Sequence, residues 1–459
     1  MQPYDEIKKY SETICEQIRW KKARTMIAEE LENHICDQRD AYMSEGKDEV
    51  MATRDAIAQM GDAVTVGIAL DKTHKPKPQW TLFILTYLLI LTGAGVSYLT
   101  RDLQAPLDNI SVFLFILTSG IFLLSYFLDF SILGKYPKQC YYLTILISVI
   151  GLMFSKQVNG RAWFALGRLS SSMEYLSLLF PLSYSLLIYS MRKKGYFGIV
   201  LCGLGYIPLG IILLIIPTAT GFALYTISAL IILCTAIMKG WFGESKKFGL
   251  VLTLFPVICS TTLAAFWLAM NAYRLSRISA LLNPSTDPRG YQILLIRDIL
   301  AKAEFIGKGS ISQQFGVNDL KMSILGTDYA LTALTHHYGW ITFLGIVVLF
   351  TIFTALGLFQ VSRQKSVLGT MVSLSVLLTI VIQVITYSIG NLGYGLLSPI
   401  SLPLVSYGKA AMLINAGLIG FMLSVFRTDD IRKDGYKTSV KHGRFINYKD
   451  GKLILYLKG

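Results

Sequence analysis

The run YFGIVLCGLGYIPLGIILLII, residues 196–216, contains no charged residue and directly follows the sequence Arg192-Lys193-Lys194-Gly195. A helix that crosses a bilayer requires roughly 17–25 predominantly apolar residues, which this run supplies. Because its apolar residues are continuous, the run favours a helix over a membrane strand, whose apolar and polar residues would alternate. About ten runs near that length occur in the chain and predict ten spans. They lie near residues 80–99, 111–130, 139–155, 172–190, 196–216, 220–238, 249–270, 339–359, 367–390 and 403–426.

The overall composition agrees with a membrane protein. The 459 residues are 53% hydrophobic, and the mean hydropathy is +0.51. A soluble chain of this length would contain far fewer long apolar runs. The six cysteines are scattered without CxxC spacing, which indicates neither a disulfide framework nor a zinc site. We therefore expect an all-α polytopic membrane protein.

Basic residues predict the orientation of the spans, because lysine and arginine concentrate in short cytoplasmic loops. The basic short loops all fall on one side of the predicted spans, together with both ends of the chain. We therefore expect cytoplasmic termini and a large outer loop at 271–338. The residues behind this expectation are Lys135, Lys138, Arg192, Lys193, Lys194, Lys239, Lys246, Lys247, Arg363, Lys365 and Arg427.

The polar segment 1–74 predicts a small helical cytosolic domain, joined to the membrane domain (80–426) by a basic linker at 75–79. Apolar residues at helical spacing over 4–42 predict one long amphipathic helix. Asp62 is predicted to cap a short helix that follows it. The sequence from Ile18 through EELENHI to MGD at 60–62 resembles the prefix domains of some Firmicutes permeases, which implies a regulatory or interaction module. The alternative is an amphipathic bundle that only packs on the membrane face.

Residues 427–459 form a basic cytoplasmic tail that contains a predicted β-hairpin. Two strand-like runs, 444–448 and 453–457, flank the turn sequence Asp450-Gly451. An isolated hairpin is marginally stable in water, so we expect it to pair with another surface. The alternative is a solvated basic edge that faces anionic lipid.

The long polar segment closes on Asp328, immediately before the next apolar run. An ionisable group at the mouth of a span is costly, and therefore indicates a functional role. The alternative is that Asp328 only caps the helix predicted at 329–338. Gly307 and Gly309 indicate a backbone turn instead of a phosphate cradle, because no strand-to-helix context accompanies them.

Five sequence blocks, taken in order, resemble the SEDS proteins, typified by RodA, FtsW and SpoVE. The outer segment carries R-I-x4-N-P at 277–284, D-P-x-G-Y-Q at 287–292 and G-x-G followed by T-D-Y at 327–329. LPLVSYG at 402–408 looks like the signature before the family's last span. NGRAW at 159–163, with Glu174 after it, is similar to a further family block. The resemblance covers roughly residues 80–427.

The resemblance implies a peptidoglycan glycosyltransferase of the bacterial cytoplasmic membrane. Such an enzyme polymerises lipid II outside the membrane, usually with a class B penicillin-binding protein, for cell shape, division or sporulation. Asp328 matches the family's essential acid and would act as the base. The candidates for diphosphate contact are Arg277, Arg289, Lys308, Arg161 and Lys409.

Further expectations concern the surroundings of Asp328. We expect Glu174 to pair with a cation or polar neighbour, and a divalent cation (Mg²⁺ or Mn²⁺) is the cofactor that a diphosphate would accept. No organic cofactor, resident metal site or nucleic acid is expected, and a cytosolic regulator is the partner expected for 1–74. The motif residues expected to shape close packing or a broken helix end are Pro403, Ser406, Tyr407 and Gly408.

The chain also departs from the family pattern. His336-His337 stand where the family usually has two glutamates, and the acid of an inter-span block is absent at Thr218. Lys409 stands in place of a second glycine after Gly408. These departures leave two alternatives to the polymerase: a flippase or permease for lipid-linked precursors, and a catalytically silent scaffold that recruits a penicillin-binding protein.

Overall fold

The chain is described here by a computed structural model, and it is mostly helical. The structure describes residues 3–74, 77–99, 109–158, 161–166, 169–216, 218–269, 282–285, 290–310, 327–395, 398–406, 408–428, 446–449 and 452–455.

Residues 3–74 form an N-terminal bundle of four helices: α1 (Pro3–Gln17), α2 (Lys21–Ser44), α3 (Glu49–Met60) and α4 (Ala63–His74). The prediction of one helix over 4–42 is wrong, because the chain turns between α1 and α2. The turn packs Ile14 and Ile18 against Ile27 and Leu31 in one buried cluster. A single straight helix would have left this apolar face exposed, since its residues could not contact one another.

Two side chains fix the ends of α4. Asp62 accepts the Thr65 N–H at 2.9 Å, which confirms the predicted cap. Asp71, which is buried, accepts both the backbone N–H and the Nε–H of Arg19, at 2.8 and 2.9 Å. Arg19 lies in the turn between α1 and α2, so this contact ties α4 to the point where the chain reverses.

Helices, most of them long and apolar, make up most of the other described residues. In order they are α5 (Trp80–Leu99), α6 (Asn109–Phe127), α7 (Ser131–Lys135), α8 (Pro137–Met153), α9 (Phe180–Met191), α10 (Gly195–Ile215), α11 (Ala219–Met238), α12 (Lys246–Ala269), α13 (Tyr291–Ala301), α14 (Ala330–Tyr338), α15 (Trp340–Arg363), α16 (Val367–Ile389) and α17 (Lys409–Thr428).

Among the described residues, five helices are long and apolar enough to cross a membrane by length and composition. These are α10, α11, α15, α16 with its extension to Tyr394, and α17. The count of ten spans stays a prediction. The end of the bundle at which α15 and α17 begin is called the site end. The opposite end, at which both helices finish, is called the far end.

The centre of the bundle is formed by α16 and α17. Two-thirds of the apolar stretch of each is buried, against 28% for α15. Gly420 of α17 lies so close to α6 that an added Cβ would be 2.6 Å from Ser125 Cβ. The buried amides of Gln383 and Asn415 exchange two hydrogen bonds, both 3.1 Å, between α16 and α17. Small residues and buried polar pairs are the usual means of association between membrane helices.

A small sheet, which the sequence reasoning did not predict, separates α8 from α9. Strands β1 (Ser155–Val158), β2 (Arg161–Leu166) and β3 (Leu169–Ser172) pair antiparallel in that order, with Ser155 opposite Phe164 and Trp163 opposite Ser172. The predicted span at 172–190 begins as a 3-10 helix, Met173–Leu179, and becomes α-helical only at Phe180. Glu174 is therefore placed before the long helix and not inside it.

Two further strands lie in the tail. Strands β4 (Ile446–Lys449) and β5 (Lys452–Leu455) pair antiparallel, with Ile446 opposite Leu455 and Lys449 opposite Lys452.

The junction between α14 and α15 requires a glycine. Gly339 has φ +97°, and an added Cβ would be 2.4 Å from the Phe305 carbonyl oxygen. We expect Gly339→Ala to lower the free energy of unfolding by about 1–3 kcal/mol, since this backbone region is essentially restricted to glycine. Thermal unfolding in detergent measures the effect. Gly345→Ala is the matched control, because it lies within α15 with nothing within 4 Å of the new methyl group. It should leave stability unchanged or raise it, and an equal loss in both variants would contradict the prediction.

Candidate functional site

Three charged side chains meet at the site end of the bundle. Arg161 comes from β2, Glu174 from the 3-10 helix, and Asp328 from a 3-10 turn at Thr327–Tyr329. Arg161 Nη2 donates to Asp328 Oδ2 at 2.8 Å, and Arg161 Nη1 lies 3.7 Å from Glu174 Oε1. The Glu174 side chain is 9% exposed and the Asp328 side chain 21%. We call these residues the carboxylate cluster, in which one guanidinium bridges a buried and an accessible carboxylate.

The electrostatics of the cluster are set by Arg161. Burial opposes the charge on the guanidinium, but the Asp328 and Glu174 carboxylates outweigh it and raise the pKa of Arg161. With all three groups ionised, one positive and two negative charges are present. A guanidinium has five N–H donors, so Arg161 can contact a further acceptor while it holds Asp328.

The two acids of the cluster contact the same cation. Asp328 and Glu174 are both engaged by Arg161. In the part of the chain that the structure describes, no group of three or more His, Cys, Asp or Glu side chains is placed to hold a metal ion. A divalent cation at the diphosphate stays a prediction, and no step proposed below depends on it.

Asn391 positions the backbone on which Asp328 lies. It belongs to a π-helical turn, Gly390–Tyr394, at the end of α16, and it is fully buried. Its Nδ2 donates to the Asp328 carbonyl at 3.0 Å and to the Tyr387 carbonyl at 2.9 Å. Its Oδ1 accepts the Thr332 N–H at 3.0 Å. The amide thus joins α16 to the turn before α14 and to the first residues of α14.

Two tyrosines that sequence reasoning did not single out adjoin the cluster. Tyr329 is largely buried, and burial together with the Asp328 charge raises its pKa. Tyr175 lies close enough to Glu174, Asp328 and Arg161 to interact with their charges. Both follow an acidic residue directly in the sequence, which was the available signal, but a tyrosine beside an apolar run is more often part of the core.

Gly307 and Gly309 form the backbone turn that the sequence indicated. The Gly307 N–H donates to the Tyr338 carbonyl at 3.2 Å, and the Gly309 N–H to the His336 carbonyl at 2.7 Å. These bonds satisfy carbonyl groups at the end of α14, which a helix terminus leaves unpaired. Lys308 between them is exposed, and the structure shows no contact that brings it to the cluster.

The loop before α17 approaches the cluster from the other side. Ser406 Oγ accepts the Leu402 N–H at 2.8 Å and so closes a tight turn that contains the buried Pro403. Gly408 packs against Tyr175, since an added Cβ would lie 3.1 Å from the tyrosine hydroxyl. Lys409, half-buried, begins α17 directly after this contact. Tyr407, Arg277 and Arg289 lie outside the described residues.

Loss of the Asn391 amide should displace Asp328. We expect Asn391→Ala to lower the free energy of unfolding by about 2–4 kcal/mol, because it leaves buried N–H and C=O groups unpaired, each at about 1–3 kcal/mol. The loss of activity should be larger than the loss expected from the smaller fraction of folded protein alone. Asn415→Ala is the matched control, since it also removes a fully buried amide but on α17. Thermal unfolding of both variants, and turnover of the folded fraction with the lipid II substrate that the sequence resemblance implies, distinguish the two variants. Equal turnover in both would contradict a positioning role.

Comparison with known proteins identifies the family. A family model described as "Cell cycle protein", for FtsW, RodA and SpoVE, matches residues 78–430. The chain belongs to this family. The match begins after the N-terminal bundle, so the FtsW/RodA/SpoVE domain accounts for the membrane helices and the carboxylate cluster. The expectation of a SEDS protein is confirmed.

Among relatives in the FtsW/RodA/SpoVE family, the stage V sporulation protein E of Bacillus subtilis is 24% identical over 389 residues, covering 77% of this chain and 98% of that protein. The probable peptidoglycan glycosyltransferase FtsW of Borreliella burgdorferi is 29% identical over 192 residues, 39% of this chain. That alignment spans about half of the relative, 48%.

Solved structures share the fold. One, from work described as "Structural coordination of polymerization and crosslinking by a peptidoglycan synthase complex", superposes with a TM-score of 0.58 at 20% identity. It covers 77% of this chain and 98% of the other. The crystal structure of the rod shape determining protein RodA of Thermus thermophilus gives a TM-score of 0.50 at 19% identity, over 77% of this chain and 97% of the other. At these identities the likeness establishes a RodA-like fold.

Proposed function

We propose that this protein is a peptidoglycan glycosyltransferase that polymerises lipid II at the outer face of the cytoplasmic membrane. The observation that carries the proposal is the carboxylate cluster, in which an accessible acid, Asp328, is held by a guanidinium and by the Asn391 amide at one end of the bundle. Membership of the FtsW/RodA/SpoVE family supports it, since relatives are named as probable peptidoglycan glycosyltransferases.

The proposed reaction is an inverting glycosyl transfer. The 4-hydroxyl oxygen of the acceptor sugar attacks the anomeric carbon of the donor, and a C–O bond forms. The bond from that carbon to the diphosphate oxygen breaks, and the polyprenyl diphosphate leaves with the electron pair. Asp328 accepts the proton of the hydroxyl, a role that requires its carboxylate to lie within hydrogen-bond reach of the acceptor. Arg161 holds that carboxylate in place while the sugar binds.

The leaving diphosphate requires positive charge nearby. Arg161 is the cation that lies at the cluster, and we propose that its remaining N–H groups contact the diphosphate. Lys409 is a second candidate, because it follows Gly408 at the contact with Tyr175. Arg277, Arg289 and Lys308 remain candidates from the outer segment.

We further propose a class B penicillin-binding protein as the partner. The support is that one structure with the same fold comes from work on a peptidoglycan synthase complex. The proposed topology has ten spans and both termini in the cytoplasm, so the carboxylate cluster faces outward and the N-terminal bundle is available to a cytosolic regulator.

A reconstituted assay tests the function. The purified protein, alone and with its cognate transpeptidase, is given lipid II, and the glycan chains are separated by length. Wild type should produce polymer, and Asp328→Ala should not. Equal polymer from both would refute the assignment of the base.

The same preparations distinguish the alternatives. Movement of labelled lipid II across vesicles, without polymer and unaffected by Asp328→Ala, would identify a flippase. A stable complex with the transpeptidase that yields neither polymer nor movement would identify a silent scaffold.

A further inference from the structure

A basic cavity lies at the far end of the bundle, away from the carboxylate cluster. A cavity of about 410 Å³ opens between the start of α5 and the ends of α15 and α17. Pockets that hold small molecules measure about 300–1,000 Å³, so this volume can accept a ligand. Its polar lining consists of four cations and two amides, from Lys77, Arg363, Lys365, Arg427, Gln79 and Gln360.

Hydrogen bonds between the walls give this basic cavity a defined shape. The Lys77 N–H donates to the Arg427 carbonyl at 3.1 Å, which fixes the residues before α5 to the end of α17. Gln360 Nε2 of α15 donates to Gln79 Oε1 at 2.9 Å. Three separate parts of the chain are thus joined around the cavity.

The two arginines are held by aromatic rings. The guanidinium of Arg363 lies 4.1 Å from the ring centroid of Phe359, and that of Arg427 lies 4.7 Å from that of Tyr126. Stacking of this kind fixes the plane of a guanidinium and leaves its edge N–H groups for acceptors. The Nε atom of Arg427 is buried, and none of the described residues accepts a hydrogen bond from it.

We propose that this basic cavity binds a phosphate group, either from the headgroup of an anionic phospholipid or from a soluble phosphate compound. Planar guanidinium groups match phosphate oxygens in pairs, and lysines add point charge. Besides the four cations and two amides, the described lining contains Phe426. α15 connects the two ends of the bundle over 24 residues, about 36 Å at 1.5 Å per residue, so the cavity is separate from the carboxylate cluster.

The test compares two variants that lose equal charge. Arg363→Gln/Lys365→Gln removes two cations from the cavity, and Lys246→Gln/Lys247→Gln removes two exposed cations at the start of α12, outside it. Full-length proteins in neutral detergent are titrated with phosphatidylglycerol, and bound lipid is counted by native mass spectrometry. The cavity variant should require about 30-fold more lipid than wild type or the α12 variant, from the loss of two charges near the phosphate.

A second arm identifies the source of the phosphate. Inorganic phosphate is added in the absence of lipid, and the thermal unfolding midpoint is followed. If phosphate raises the unfolding midpoint of wild type and the α12 variant but not that of the cavity variant, the ligand is soluble. If the variants differ only in their binding of phosphatidylglycerol, the ligand is a lipid.

Two results would overturn the proposal. Equal behaviour of the two variants in both arms would mean that the cavity contributes only to the general positive charge of this face. Equal retention of zwitterionic phosphatidylcholine and phosphatidylglycerol by wild type, with no response to phosphate, would mean that no anion is selected. Because Arg363 and Lys365 are exposed, both variants should fold. If the double variant does not fold, the single substitution Lys365→Gln provides a milder variant.

Discussion

Replacing Asp328 with asparagine should slow glycan polymerisation by a factor of about 10²–10⁴, the usual contribution of a general base. The amide preserves the size of the side chain, and its oxygen can still accept the hydrogen bond from Arg161. It cannot accept a proton from the acceptor sugar. The backbone carbonyl that bonds Asn391 is unchanged, so the turn should stay in place. Initial rates of lipid II consumption measure the effect, and the loss should fall on kcat more than on KM.

Asp298→Asn is the matched control for this prediction. The side chain of Asp298 is 21% exposed, the same fraction as for Asp328, and it also contacts a cation, Lys302 at 3.1 Å. It lies on α13, between α12 and α15 in the sequence, as Asp328 does. Its rate should stay within about twofold of wild type, as expected for a substitution away from the chemistry. If Asp328→Asn polymerised as fast as Asp298→Asn, Asp328 would not be the base.

Replacing Arg161 with glutamine should both destabilise the protein and abolish most of its activity. Glu174 would be left in a buried position without its partner, close to Asp328. Removal of one member of a buried ion pair costs about 3–5 kcal/mol, and we expect about 2–3 kcal/mol here because Arg161 is one-third exposed. Thermal unfolding reports the loss of stability, and lipid II turnover of the folded fraction reports the loss of activity.

A double-mutant cycle tests the cause of that destabilisation. In Arg161→Gln/Glu174→Gln a neutral amide replaces the buried carboxylate. At least about half of the lost stability should therefore return. Activity should not return with it, because Asp328 would still lack the guanidinium. Simple additivity of the two substitutions would mean that the 3.7 Å contact between Arg161 and Glu174 has no energetic role.

The cluster illustrates how far the sequence could predict the site. Asp328 could be singled out because a charge beside an apolar run is unusual whatever the fold. Its pairing with Arg161 could not, since Arg161 is 167 residues away and was only one of five candidate cations. The choice between them depends on how the sheet and the helices pack. Asn391 was missed for the same reason, although the glycines on both sides of it indicated a break in the helix.

Local structure was predicted where one signal dominated. Continuous apolar runs gave the long helices, and Asp62 gave the start of α4. The sheet that carries Arg161 was missed because its strands have only 4–6 residues and lie against apolar runs. Asn159-Gly160 was the available hairpin signal. The turn between α1 and α2 was missed because helical periodicity continues across it, and only contacts between the two helices make the reversal favourable.

The hydrogen bond from Lys77 to Arg427 has a consequence for how this chain could have been assembled in evolution. It joins one backbone to another, so any residue except proline at position 77 can make it. The two ends of the membrane domain therefore leave the bundle side by side, at a junction that tolerates changes in sequence. A module can be gained, exchanged or lost before residue 77, or after residue 428, without repacking the helices. We expect relatives with quite different flanking domains to share this junction.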